Sequence, residues 1–312
     1  MTKTNNHRPL VVIAGPTASG KTALAVALCK RFNGEVISAD SMQVYDTLQV
    51  GTARPTAEEQ EGIPHHLMGF LPPDTSYSVA KYAEQAHRAI AAVHDRGKLP
   101  VLCGGTGLYI QAVAENLSYE QQPENREVRE RLRERIQREG AQVLLDELAQ
   151  CDPVTAARLH PNDHGRIIRA LEIIETTGRT ITEQNAASRT VASPYRLCGL
   201  RLDFHDRDKL YERINRRVTA MVDAGLIQEA AWLRTQPHTD TIRQAIGYKE
   251  LEPYFTGELT LEQAVAFIQQ GTRRYAKRQL SWFRHQEWMT PLYMDEPEPL
   301  ERAINHVKAF LT

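Results

Sequence analysis

An α/β fold, in which helices cover a parallel sheet and an all-helical segment is inserted, is the class this 312-residue sequence predicts. Three observations predict it. The octet Gly15-Pro16-Thr17-Ala18-Ser19-Gly20-Lys21-Thr22 fits the phosphate-binding pattern G-x-x-x-x-G-K-[ST] at every fixed position. Strand and helix patterns alternate through the first third of the chain. From Leu117 to about Ser193 no strand pattern is found, and strand character then returns at Tyr195–Leu202.

Taken in order, the elements place the chemistry. Leu10–Ala14 reads as a buried strand entering the octet, and Ala23–Leu28 continues from it as a helix. In this geometry backbone N–H groups and a helix N-terminus converge on an anion. Lys21 would reach the outer phosphate, and the Thr22 hydroxyl would sit where Mg²⁺ binds. The loop does not say whether that phosphate belongs to ATP. Glu35–Ala39 is a second apolar run, ending at Asp40. Apolar Val79, Tyr82, Ala83, Ala86, Ile90 and Val93 recur at helical spacing between Ser78 and Arg96. Leu99–Cys103 is another buried strand, followed by Gly104-Gly105-Thr106-Gly107. A phosphate loop after the first strand makes the order P-loop NTPase-like, and ligands of such sheets sit at the carboxyl ends of strands. Asp40 and Thr106 fall at such ends and are expected to share a pocket with Lys21.

The middle is different. Arg126 to Glu139 carries six arginines and four glutamates in a helical pattern, and Ala141–Gln150, His164–Thr177 and Thr180–Ser188 follow, separated by turn signals. Residues 117–193 are therefore read as a helical insertion domain, with 1–116 and 194–312 forming the P-loop-type core. Long helices are predicted at Arg207–Ala224 and Thr260–His285.

Composition bounds the partners. The hydrophobic share of 41% and charged share of 25% are ordinary for a soluble globular enzyme. With a formal net charge of −1, a nucleic-acid surface must be a local patch. Cys29, Cys103, Cys151 and Cys198 are far apart and form no C-x-x-C pair, which argues for a reducing compartment. Met1–Arg8 lacks the apolar stretch of a signal peptide, and no run approaches a bilayer span. A cytoplasmic protein with no membrane partner is expected.

Several residues read in more than one way. Asp40, leading Asp40-Ser41-Met42-Gln43, suits a Mg²⁺ ligand, a general base or a helix cap. Thr106 sits in a glycine-rich turn that a strand-to-helix junction uses anyway. Arg213 and Arg217 lie one turn apart and could clamp a phosphate, although a solvated charged face is the simpler reading. His65-His66 has no third ligand at metal spacing and reads as a packed or polar loop pair. Gly271–His285 holds five Lys/Arg and no acid, with Tyr275, Trp282 and Phe283 interleaved. That combination suits a nucleic-acid backbone and exposed bases, against a plain amphipathic helix.

Together the motifs resemble the tRNA dimethylallyltransferases (tRNA isopentenyltransferases). The resemblance rests on Gly15–Thr22, Ile37–Tyr45, Gly51-Thr52-Ala53-Arg54-Pro55, Pro64–Leu67, Gly104–Tyr109, His160–Asp163, Arg169–Glu172, Ile246–Glu250 and Arg273–Gln279, in family order along nearly the whole chain. No zinc-finger extension is present, so the compact bacterial form is the nearer match. The resemblance implies transfer of a dimethylallyl group from dimethylallyl diphosphate to N6 of the adenosine 3′-adjacent to the anticodon, at position 37 of tRNAs reading UNN codons. The loop would then hold the diphosphate leaving group, through Gly15, Pro16, Thr17, Ala18, Ser19, Gly20, Lys21 and Thr22, with Thr22 on Mg²⁺.

The chemistry explains the residue types. The exocyclic amine of adenine is a poor nucleophile, and a carboxylate that accepts its proton supplies about 10²–10⁴ in rate. Asp40 is assigned that role. Donors aimed at the departing diphosphate are worth about 10²–10³ each, which the resemblance assigns to Lys21, Thr106 and Arg217, with Arg213 a weaker candidate. The base must leave its stack. Gln43 matches an adenine edge, beside Asp40, Ser41, Met42 and Thr106. His164, Gly165, Arg166, Ile167 and Ile168 are expected to grip the anticodon stem-loop from one side. Arg243, Gln244, Ala245, Ile246, Gly247 and Tyr248 would hold the other, with Arg273, Arg274, Tyr275, Ala276, Lys277, Arg278, Gln279 and Leu280. A monomer is expected. A small-molecule phosphotransferase, a non-catalytic RNA-binding switch and an adenylate isopentenyltransferase are the rival readings.

Overall fold

The structure, a computed structural model, describes residues 7–118, 124–189 and 191–312. Residues 1–6, on which most of the signal-peptide reading rests, lie outside them. The chain divides into two compact units, Met1–Ala114 with Ser193–Thr312 and Glu115–Ala192.

The larger unit is built on a parallel sheet of six strands: β1 (Arg8–Ala14), β2 (Gly34–Ser38), β3 (His65–His66), β4 (Leu99–Gly104), β5 (Tyr195–Asp203) and β6 (Met289–Tyr293). Their order is β3-β2-β4-β1-β5-β6. Alternation along β1 sorts its side chains. Val11 and Ile13 meet Leu24 and Leu28 of the Lys21–Phe32 helix and, in the same cluster, Val307 of the Pro299–Leu311 helix. Leu10 and Val12 meet Tyr82, Ala86 and Ile90 of the Val79–Asp95 helix. Both faces are dry, which is why these strands read as continuous apolar runs. Each such leucine or isoleucine contributes about 1.5–3 kcal/mol by leaving water. Val12 pairs with Leu102 of β4 on one side and Gly199 of β5 on the other. The chain therefore builds outward from β1 in both directions, and a crevice opens where the direction reverses, at the carboxyl ends of β1 and β4.

Helix ends follow their caps. The Ser78 side chain accepts the Lys81 N–H at 3.2 Å. At the Leu261–Arg284 helix, Thr260 Oγ1 accepts the Gln263 N–H at 3.3 Å and Gln263 Oε1 accepts the Thr260 N–H at 2.8 Å. Two strands were not anticipated from the sequence. β3 is two residues long, paired with Val36 and Ile37, and β6 carries Pro291 at the sheet edge, where a missing N–H is tolerated.

The smaller unit is helical: Arg126–Glu139, Ala141–Cys151, Pro153–Ala156, His164–Thr177 and Ile181–Ser188. Leu132, Leu144, Leu148, Ile167 and Leu171 form its core. Glu172, 1% exposed, accepts the Asn125 N–H at 2.7 Å and pairs with Arg129 at 2.9 Å and Arg169 at 2.8 Å. Burial raises its pKa, but the hydrogen bonds from Arg169, Asn125 and Arg129 outweigh burial and hold the carboxyl below its usual range. At the root of the unit, Asn116 Nδ2 donates to the Ala192 carbonyl at 3.3 Å and the Ser118 N–H to the Ser188 carbonyl at 3.1 Å. Among the described residues no helix is long and apolar enough to cross a membrane.

Candidate active site

β1 delivers the chain into the phosphate-loop octet, and Gly20 turns it into the following helix with a φ of 96°, a left-handed conformation that side chains disfavour. The buried Ser19 hydroxyl donates to the Pro16 carbonyl at 2.8 Å, and Lys21 Nζ donates to the same oxygen at 2.6 Å. Gln279 accepts the Thr17 N–H at 2.9 Å and donates to the Gly105 carbonyl at 2.9 Å, tying the loop to the turn after β4. From the Arg207–Asp223 helix, Arg213 Nε donates to the Ala18 carbonyl at 2.8 Å. Arg217 reaches Thr17 Oγ1 and the Ala53 carbonyl, each at 3.3 Å. Both arginines therefore turn to the loop, and the solvated-face reading is corrected.

Opposite the loop, Asp40 stands two residues beyond the end of β2. Its Oδ1 accepts the Met42 N–H at 2.9 Å and the Gln43 N–H at 3.3 Å, so it caps the following turn through one oxygen and leaves the other disengaged from that turn. Gln43 donates from Nε2 to the Thr52 carbonyl at 3.2 Å and the Ala53 carbonyl at 3.3 Å. Thr106 Oγ1 accepts the Ser41 N–H at 3.0 Å and donates to Ser41 Oγ at 3.3 Å. Its contacts put it beside Ser41, one residue after the Gly105 carbonyl that Gln279 ties to the phosphate loop. Thr17–Thr22, Asp40–Gln43, Arg213, Arg217 and Tyr275 line a single cleft of about 1330 Å³.

The cleft shifts its own charges. Burial pushes Lys21 down to about 8, Arg217 adds to this, and Cys103 and Asp40 oppose it. Burial also lowers Arg217, against the pull of Asp40. The Tyr275 phenol is raised by burial and by the Asp40 charge. Cys103 is pushed up to about 12 by burial, which keeps the thiol protonated and rules it out as a nucleophile at neutral pH. A cleft that depresses two cations gains most from a bound polyanion, because the anion offsets the cost of burying their charge. His65 and His66 form β3, and His66 Nε2 lies 2.6 Å from Glu35 Oε2 on the far side of β2 from β4.

The expected RNA contacts divide. His164, Gly165 and Arg166 are exposed in the first turn of their helix, whereas Ile167 and Ile168 are 0% and 7% exposed in the helical core. Arg243 and Gln244 are exposed, Ala245 and Ile246 half-buried, and Gly247 and Tyr248 buried. Arg274, Lys277 and Arg278 are exposed, while Arg273 donates to Asn215 Oδ1 at 2.7 Å. Ala276 and Leu280 pack with Phe204, Leu210 and Ile214. The side chains of Ile167, Ile168, Ala276 and Leu280 are thus packed into cores and the Gly247 N–H is bonded to Glu250, while Tyr248 and Gln279, though hydrogen-bonded internally, line the cleft. Glu229, absent from the sequence reading, accepts the N–H groups of Gln49, Val50 and Gly51 in the cleft wall.

A phosphate-loop sequence at the reversal point of a parallel sheet, with a carboxylate and cations facing one cleft, defines a P-loop-type α/β protein. The chain belongs to the IPP transferase family, whose model matches residues 43–286. It is similar to the tRNA dimethylallyltransferases of Halalkalibacterium halodurans (48% identity over 97% of this chain and 96% of that one) and Bacillus subtilis (44% over 95% and 94%). Among solved structures, the full-length tRNA isopentenylpyrophosphate transferase of Bacillus halodurans superposes with a TM-score of 0.72 at 44% identity, covering 97% of both chains. A eukaryotic dimethylallyltransferase acting on tRNA gives 0.79 at 30% identity, over 97% of this chain and 79% of its own.

Proposed function

We propose that this protein transfers the dimethylallyl group of dimethylallyl diphosphate to N6 of the adenosine at position 37, 3′-adjacent to the anticodon, in tRNAs reading UNN codons. One observation carries the reading beyond family membership: a half-engaged carboxylate, Asp40, shares a cleft with Lys21, Arg213 and Arg217, which rest on carbonyl oxygens. Asp40 accepts the N6 proton as nitrogen attacks the allylic carbon. The C–O bond breaks, and its electron pair leaves on diphosphate. Lys21, Arg217 and the loop amides meet the charge as it develops, which is worth about 10²–10³ per donor. Thr106 shares that role with them, as the family resemblance implies, while its hydroxyl oxygen holds Ser41 next to the base.

The residues fit Mg²⁺. Thr22 supplies a hydroxyl at the mouth of the loop, and this hard cation ordinarily keeps waters and phosphate oxygens with only one or two protein ligands. Bound with the donor, it would neutralise diphosphate charge. The exposed Arg274, Lys277 and Arg278 offer tRNA phosphates their partners, as do His164 to Arg166 in the helical unit. The protein is taken to act as a monomer in the cytoplasm, a reducing setting that suits its free cysteines.

The test is incubation with Mg²⁺, dimethylallyl diphosphate and unmodified tRNA, followed by digestion to nucleosides. N6-dimethylallyladenosine and diphosphate are expected. ATP turnover without prenylated nucleoside would favour a phosphotransferase, and equal prenylation of free AMP would favour an adenylate-directed enzyme.

A further inference from the structure

We infer that Glu229, which takes no part in the chemistry, is a positioning residue for both substrates, acting through the loop of residues 49–53; this rests on the function proposed above. Glu229 Oε2 accepts the N–H of Gln49 at 2.8 Å and of Val50 at 2.9 Å, and Oε1 accepts that of Gly51 at 2.7 Å. Three successive amides on one carboxylate wrap the loop round a fixed negative charge, carried by the Leu226–Leu233 helix. The Tyr248 hydroxyl completes the latch, donating to Oε1 at 2.8 Å from a side chain only 5% exposed. Its ring packs so closely on Gly51 that a Cβ there would collide with the phenol.

The far end of this loop enters the site. The Ala53 carbonyl accepts both Gln43 Nε2 and Arg217 Nη2, each at 3.3 Å. One peptide oxygen therefore holds the residue proposed to read adenine and a residue proposed to hold diphosphate. Ala53 has a φ of 46°, a left-handed conformation that a residue with a side chain keeps only where its surroundings impose it. The turn bonds Ala53 N–H to Val50 carbonyl at 2.9 Å and Arg54 N–H to Gln49 carbonyl at 3.0 Å supply part of that. They run, however, within the segment whose first residues Glu229 anchors. Removing the carboxylate frees the amides at 49–51, and the orientation of Ala53 goes with them.

Glu229→Gln keeps the shape but sets an amide donor against backbone donors. Hydrogen exchange at residues 49–51 is expected to quicken at least about tenfold while exchange in β1 and β4 is unchanged. Single-turnover transfer should fall about tenfold with tRNA affinity intact. In a background that lacks both residues held by Ala53, Gln43→Ala with Arg217→Ala, the same substitution should cost under about twofold, because the effect passes through groups already removed. Tyr248→Phe, which retains the ring, should reproduce the pattern at smaller amplitude and serves if the first variant fails to fold. Unchanged exchange at residues 49–51, or a full repeat of the loss in the Gln43→Ala, Arg217→Ala background, overturns the assignment. Should the parent protein transfer no dimethylallyl group, the functional reading falls, and the exchange measurement still decides the latch.

Discussion

Cations are held differently in the two units. In the helical unit arginines meet glutamates: Arg129 pairs with Glu124 and Glu172, Arg131 with Glu175, and Arg135 with Glu139 and Glu147. In the cleft, Lys21, Arg213 and Arg217 rest on the carbonyls of Pro16, Ala18 and Ala53, and among the described residues none forms an ion pair with a carboxylate. A carboxylate neutralises its partner and keeps it. A carbonyl only orients it, and yields to a phosphate that brings full charge. Paired cations serve the fold of the helical unit, and carbonyl-held ones are poised for a ligand.

The largest effect is expected at the cleft carboxylate. Asp40→Asn should lower single-turnover transfer by about 10²–10⁴ while tRNA affinity is unchanged; near-normal transfer would remove Asp40 as the base. Glu172→Ala should cost the helical unit about 3–5 kcal/mol, since two arginines lose a buried partner. Denaturation followed by probes in that unit measures it. The Glu172 contribution is present above the unfolded carboxyl pKa, 4.5, and is lost as the pH falls through the lowered folded value.

Lys21→Met should slow transfer by about 10²–10³ yet raise the melting temperature of the free protein, because a desolvated charge is removed. Below about pH 8 both folded and unfolded states carry the Lys21 proton and the cost of burial is complete. Between about 8 and 10.5 the folded state releases it first, so stability rises with pH in that window. Melts at both ends should show the rise in the parent and its loss in the variant. Neutralising Arg274, Lys277 and Arg278 should reduce the salt slope of tRNA binding by about two to three, with donor affinity retained; an unchanged slope returns these charges to plain solvation. The smallest change is expected for Arg133→Ala, whose exposed pairing with Glu130 should contribute under about 0.5 kcal/mol in a denaturant titration.

What the sequence disclosed depended on the range of the forces involved. The phosphate loop was legible because Gly20, Lys21 and Thr22 are each required by local geometry. Asp40 was legible because a strand end in a parallel sheet is a place known from periodicity alone. Arg213 and Arg217 were not legible from spacing and entered only through the family resemblance, since a charged helix face reads the same toward solvent or toward a cleft, and only packing decides. The basic segment was taken whole, although helical rotation puts Ala276 and Leu280 inside and Lys277 and Arg278 outside. Glu229 left no local trace: Gly51, one of its partners, lies 178 positions earlier, and the contact is with backbone, which carries no residue type. β3 escaped because a two-residue strand has no period to detect.

The hydrogen bonds from Asn116 to Ala192 and from Ser118 to Ser188 bring the chain back to where it departed. A segment whose two ends meet can be exchanged for another whose ends also meet, and the strand order on which the phosphate loop depends is left alone. The stretch between Ala114 and Ser193 is in that sense a cassette. Insertions, deletions and wholesale replacement there are topologically neutral for the sheet, so the part of this protein proposed to choose an RNA is free to change at a different pace from the part proposed to handle the diphosphate.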